Sequence, residues 1–209
     1  MRKLFVKLIR PLYMVYFKLI WRYNNRHNYT YAQNKFFYRN VSVGKATYGP
    51  IEVLYDMGTS RLSIGNYCSI AANVKFFLGG HHDYKRISLY PFQTFVYKGF
   101  NGCNRNASMD IIVEDDVWIG YDCIILPGAH VGKGCVIGAR SIVTGNIPPY
   151  SIYVGNKVIK KRFSDEIISI IKDIDFATIR HCAGDSYEKF CATQITEDNV
   201  LIVKELFEN

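Results

Sequence analysis

The sequence contains no Cys-X-X-Cys pair, and its six cysteines (68, 103, 123, 135, 182 and 191) are scattered through 209 residues. Such spacing argues against a disulfide scaffold and against structural zinc, and reads as free thiols in a reducing compartment. No uncharged apolar run reaches the roughly 18 residues that a membrane-spanning helix needs. Walker-type and dinucleotide-binding glycine loops are absent. So are acidic residues over the first 51 positions, which carry ten Lys/Arg. The rest of the chain holds 16 basic and 18 acidic side chains, so the formal net charge of +8 belongs to the N-terminal quarter. That distribution does not support a basic, nucleic-acid-binding body. Hydrophobic residues make up 49% of the chain, enough for a sizeable core and against wholesale disorder.

Residues 1–23, MRKLFVKLIRPLYMVYFKLIWRY, mix aromatic and aliphatic side chains with Lys and Arg. Charges at Lys7, Arg10, Lys18 and Arg22 interrupt the apolar run, unlike a secretory signal. Pro11 breaks a continuous helix but suits the first turn of one, and from there Leu12, Val15, Tyr16, Leu19 and Tyr23 share a helical face. Two readings stand side by side. In one, the helix packs on its own domain or a neighbouring subunit; in the other, it touches the surface of an anionic membrane.

From Val113 onward every sixth residue is aliphatic: Val113, Ile119, Ile125, Val131, Ile137 and Val143. Four residues after each stands Val117, Cys123, Ala129, Cys135, Ser141 or Ile147, mostly small. Neither a helix nor an alternating strand predicts so long a register. The period predicts an all-β solenoid, a parallel β-helix in which three hexads close one triangular coil. The lead aliphatic then points to the axis, and the small residue fits the tighter interior. A less regular stretch, Leu62, Ile64, Ile70 and Phe76 with Cys68 and Val74 at the fifth place, opens earlier, and Val41-Ser-Val-Gly begins the first coil. Residues 77–111 break the register, and a long excursion from a solenoid is usually functional. The organisation expected is a helical segment over 1–40, the β-helix over 41–160 and C-terminal helices over 161–209. Ser164 is the expected N-cap of one such helix, carrying Ile167, Ile168, Ile171 and Ile174, and a second is expected at about Glu197–Phe207.

The run IVEDDVWIGYDCIILPGAHVGKGCVIGARSIVTGNIPPYSIYVGN resembles the left-handed β-helix acyltransferases. LGGHHDYKRISLYPF, followed later by VGNKVIKKRFSDEII, resembles their xenobiotic (streptogramin and chloramphenicol type) acetyltransferase branch, whose motifs surface-polysaccharide O-acetyltransferases share. The resemblance covers roughly residues 41–175. It implies a left-handed coil, a homotrimer, acetyl-CoA as donor and active sites in clefts between subunits. The family's catalytic histidine falls on His82, eight residues before Tyr90-Pro91-Phe92, while His81 stands where the family usually has Asn. By the same resemblance, Trp118, Gly120, Gly138, Ala139 and Thr144 match solenoid positions that line the pantetheine groove, and Lys160 and Arg162 lie where cations meet the nucleotide phosphates. Tyr48, Asp56, His81, Tyr90 and Phe92 fall where acceptor contacts gather.

Acetyl transfer needs a base near neutral pH, and histidine is the natural one. His27, His130 and His181 match no motif and read as structural or exposed. Cys68, Cys123 and Cys135 read as packing residues, Cys103 in the excursion being the one thiol to weigh as a nucleophile. No metal-ligand spacing is visible and no metal is expected. The function expected is O-acetylation of a sugar hydroxyl on a surface polysaccharide or its lipid-linked precursor, in the cytoplasm or at the inner membrane face through residues 1–23. The alternatives are antibiotic acetylation and a non-enzymatic trimeric scaffold.

Overall fold

The computed structural model describes residues 2–80, 85–90, 92–96, 109–175 and 193–208, with side chains in the first helix from Pro11 onward. The chain winds a left-handed parallel β-helix of about five coils. Strands stack on three faces. The first face holds Val41–Val43, Leu62–Ile64, Ile111–Val113, His130–Val131 and Asn146–Ile147. On the second, Tyr29–Ala32, the start of Tyr48–Leu54, Ser69–Ile70, Trp118–Ile119, Val136–Ile137 and Ser151–Val154 stack in parallel. The third face carries the end of Tyr48–Leu54, then Lys75–Phe77, Ile124–Ile125 and Ile142–Val143.

The hexad rule accounts for the interior. Ile64, Ile70, Phe76, Val113, Ile119, Ile125, Val131, Ile137, Val143 and Ile147 are all buried along the axis. Each such side chain contributes on the order of 1.5–3 kcal/mol by leaving water. The small fifth-place residues have a second role. The Cys68 thiol donates to the Glu114 carbonyl, Cys123 to Gly138 and Cys135 to Pro148, each at 3.1 Å and each on the next coil. A corner carbonyl turned inward thus meets a weak donor and not a void.

Helix α1 runs from Arg2 to Asn24 with Pro11 inside it, so the break expected at that proline does not occur. The strand Tyr29–Ala32 lies within the stretch read as wholly helical. It pairs Tyr29 with Tyr48 and Ala32 with Ile51, and so begins the solenoid twelve residues before Val41. Phe17 and Trp21 close this end: both rings meet Phe36 edge-on at 5.2 Å, and Trp21 Nε1 donates to Thr30 Oγ1 at 3.2 Å. At the other end the chain doubles back, and Lys157–Lys161 pairs antiparallel with Ser151–Val154. Within the excursion, Phe92–Phe95 forms a one-turn helix α2. Helix α3 (Asp165–Ile171) starts at Ser164, whose Oγ accepts from Ile167 N at 3.4 Å. The last helix, α4 (Val200–Glu208), begins three residues later than Glu197, because residues 197–199 form a turn. Asn199 Oδ1 takes the Thr196 N–H in that turn at 2.8 Å. Tyr150, Ile167, Ile171, Ile174 and Val200 make a small second core beneath the two helices.

Candidate active site

Successive strands on the second face place one outward residue above another: Tyr48, Ser69, Trp118, Val136, Ile152 and Lys160 are consecutive cross-strand partners. Their inward neighbours, from Gly49 and Ile70 to Ile137 and Tyr153, are buried, so the first five point away from the axis, and pairing with Ile152 sets Lys160 beside them on a strand exposed throughout. Tyr48 is 54% and Trp118 56% exposed, and Lys160 is exposed as well. Five inter-strand steps of about 4.8 Å make a ladder about 24 Å long, with Tyr48 at one end, Trp118 near the middle and a cation at the other end. An extended chain that bears an anionic head fits such a surface by length and by charge.

Gly120 and Gly138, one coil apart, stack at the corner between the second and third faces, and Ala139 follows at the same corner, its backbone against Gly120. Thr144 sits on a different corner, between the third and first faces. Three hexads complete a turn, so residues 18 apart share a corner, whereas six further on the chain has moved to the next. Arg162 is not grouped with Lys160. Its guanidinium donates to Asp116 Oδ2 at 3.1 Å and to the Gly134 carbonyl at 2.6 Å, which fastens the chain after the last strand to the coil below. Burial pushes the Asp116 carboxyl up, and the Arg162 charge opposes that shift.

The excursion leaves the corner between the third and first faces, across the prism from the ladder. At its stem Gly80 has φ +87 and lies against the Tyr55 ring, where an added Cβ would stand 2.8 Å from the ring. His81 and His82 lie outside the described residues, as do Pro91, Cys103, His181, Cys182 and Cys191. Tyr90 and Phe92 are exposed and meet edge-on at 4.9 Å. Beside the stem, Asn34, Lys35, Tyr55 and Asp56 line a cavity of about 280 Å³. Asp56 serves the local turn: its carboxylate accepts from Phe37 N at 2.8 Å and from Gly58 N at 3.0 Å. The acceptor candidates are thus divided, Tyr48 on the ladder and Asp56 at the stem. No motif surrounds Asn34 and Lys35; the pairing of Tyr29–Ala32 with the next coil brings them here, and the Asn34 side chain bonds the Val53 backbone, donating to its carbonyl at 2.6 Å and accepting from its N–H at 3.0 Å.

The other histidines are tied. His27 Nε2 lies 2.8 Å from the Val43 carbonyl, and His130 Nε2 lies 2.7 Å from Glu114 Oε1. Among the described residues no group of three His, Cys, Asp or Glu side chains is placed to hold a metal ion. Burial pushes the Cys68 thiol up to about 12 and that of Cys135 to about 11, and raises Cys123 as well. The thiolate is the reactive form, so these three are poor nucleophiles. Iodoacetamide at pH 8 is expected to leave peptides containing Cys68, Cys123 and Cys135 unmodified in native protein and to label them in urea. Mass spectrometry that finds native labelling at Cys123 would contradict that assignment.

Comparison with known proteins agrees with this architecture. The family described as "Bacterial transferase hexapeptide (six repeats)" matches residues 110–145. A probable macrolide acetyltransferase of Lysinibacillus sphaericus is 38% identical over 142 residues, 62% of this chain and 76% of that protein. A chloramphenicol acetyltransferase of Agrobacterium fabrum is 39% identical over 58% of this chain and 62% of its own. A galactoside O-acetyltransferase of Lactococcus lactis is 39% identical over 68% of this chain and 59% of its own. The chain belongs to the hexapeptide-repeat acetyltransferases. The match thus spans about three fifths of the chloramphenicol and galactoside relatives and three quarters of the macrolide one.

Proposed function

We propose that the protein transfers an acetyl group from acetyl-CoA to a sugar hydroxyl of a surface polysaccharide or its lipid-linked precursor, working as a homotrimer. The observation that carries the donor half is the Tyr48–Trp118–Lys160 ladder, a flat aromatic surface that ends in a cation. Trp118 supports the pantetheine arm, Gly120, Gly138 and Ala139 give it a low corner to pass, and Lys160 meets a phosphate. Placement supports assembly: the stem that leads to His82 and the ladder lie on opposite sides of one prism, so a site that uses both needs the stem of one copy beside the ladder of another.

His82 acts as general base in a direct transfer. It takes the proton of the acceptor hydroxyl, whose oxygen attacks the thioester carbonyl. The C–S bond then breaks, and the proton passes to the departing thiolate. The sugar acceptor is supported by the galactoside relative and by the basic, aromatic N-terminal quarter, for which a small diffusible drug offers no use. The macrolide and chloramphenicol relatives favour antibiotic acetylation as the second reading.

Thiol release from acetyl-CoA over a panel of sugars, lipid-linked sugars, macrolides and chloramphenicol separates the two. Turnover confined to drugs would overturn the sugar assignment. In the same assay Lys160→Glu should raise the KM for acetyl-CoA about tenfold and leave kcat within about twofold, the pattern for a contact equal in ground and transition states. An unchanged KM would remove Lys160 from the donor site.

A further inference from the structure

The face of α1 that packs on the solenoid is not its longest apolar stripe. Phe17 and Trp21 are buried against Phe36 and Thr30, Trp21 at 1% exposure. Leu12, Val15, Tyr16, Leu19 and Tyr23 point the other way, with Leu12 at 70% and Leu19 at 64% exposure. Their spacing keeps them in one row about 16 Å long at 1.5 Å per residue. A row of two leucines, a valine and two tyrosines turned to water is a cost that a lone soluble domain has no reason to carry.

Cations flank the row. Lys18 is exposed beside it, Lys35 Nζ lies 4.4 Å from the Tyr13 ring centroid, and the Arg26 guanidinium lies 4.2 Å from that of Tyr23. Arg22 is directed inward instead, to the Asn28 and Thr30 carbonyls at 3.0 and 2.9 Å, and so holds the helix in its orientation. No Asp or Glu occurs before Glu52 to offset these charges. Among the described residues no helix is long and apolar enough to cross a membrane.

We propose that the outer face of α1, formed by Leu12, Val15, Tyr16, Leu19 and Tyr23 with Lys18, Arg26 and Lys35 around it, docks on the surface of an anionic lipid bilayer. The row enters the headgroup–acyl boundary while the flanking cations pair with lipid phosphates. Tyrosines, apolar in body and polar at the tip, suit that depth. Charge argues against the same face of a second copy as the occupant, because an isologous contact would set Lys18 and Arg26 and a helix without acidic residues against themselves. The buried Trp21 and the inward Arg22 make the helix a rigid mount, so docking fixes how the solenoid stands on the membrane. This surface is separate from the Tyr48–Trp118–Lys160 ladder and goes beyond the acetyl-transfer reading.

The test is co-sedimentation of the full chain with vesicles of phosphatidylcholine alone and of phosphatidylcholine containing about one third phosphatidylglycerol. The protein is expected to bind only the anionic vesicles, and to release as salt is raised from about 0.05 to 0.5 M, where screening shortens to a few ångströms. Leu12→Ser/Leu19→Ser should lower binding at least tenfold while the circular dichroism spectrum, the mass in light scattering and turnover of a soluble acceptor stay unchanged. Lys18→Glu/Lys35→Glu should lower it similarly and remove the salt dependence. No binding by the intact chain, or equal binding to neutral vesicles, would overturn the proposal. So would a change of oligomeric mass in the serine variant, which would assign the row to a protein neighbour. Because binding is read without catalysis, its failure leaves the acetyl-transfer reading intact, and the converse also holds.

Discussion

His82→Ala is expected to lower kcat by about 10²–10⁴-fold, the range for loss of a general base. The KM for acetyl-CoA should hardly move, because in the proposed mechanism the imidazole acts on the acceptor proton and the Tyr48–Trp118–Lys160 ladder holds the donor. The kcat/KM profile should rise with pH as the base loses its proton, and lose that limb in the variant. His81→Ala should cost far less, and His81→Asn should keep activity, since it restores the residue the resembling family carries. The controls are an unchanged mass in light scattering and retained CoA binding. A dead His81→Ala with an active His82→Ala would move the base by one residue. Full rates in both would remove direct transfer and return attention to Cys103.

Gly49→Ala is expected to destabilise the fold by about 3 kcal/mol or more, through two causes that add. Gly49 has φ +117, a region that side-chain-bearing residues rarely enter, and an added Cβ would stand 2.0 Å from the Ile70 carbonyl oxygen. That oxygen belongs to the next coil, so relief requires the coils to separate where Tyr48 and Ser69 pair. Urea unfolding should show a lower midpoint. As a comparison, Gly145→Ala has φ +65 but nothing within 4 Å, and should cost only about 1 kcal/mol. If the two substitutions cost the same, the close approach to Ile70 contributes nothing and backbone strain alone sets the effect.

The solenoid was legible because each hexad obeys the same rule. An aliphatic at the axis and a small residue four places later recur through two coils, and the structure buries each of them. The strand Tyr29–Ala32 was not legible, since four residues with alternating burial hold no period long enough to read. On α1 the even row Leu12 to Tyr23 left open whether that face packs or meets a membrane, because a buried partner decides orientation. Trp21 finds Thr30 and Phe36, while Leu12, Val15, Tyr16, Leu19 and Tyr23 stay exposed. At the site, the resemblance set Lys160 and Arg162 together as phosphate contacts. Lys160 continues the outward ladder as the partner of Ile152, while Arg162, beyond the strand, turns back to Asp116. Sequence adjacency could not separate them, because the hairpin that reverses the chain after Val154 sets their directions.

A stack of parallel coils has no intrinsic length, since its last strand offers the next one the same unpaired backbone it has itself used. Left bare, such an end is a template for another molecule, and solenoids joined end to end make fibres. Here growth stops at both ends by different means. The reversed strand Lys157–Lys161 occupies the edge of Ser151–Val154 in the wrong direction for another parallel coil, with three lysines along it. At the opposite end, α1 sits over Tyr29–Ala32 through Phe17 and Trp21. Along this face the stack is thereby closed at both ends, and neither end offers a bare parallel edge for another coil to extend.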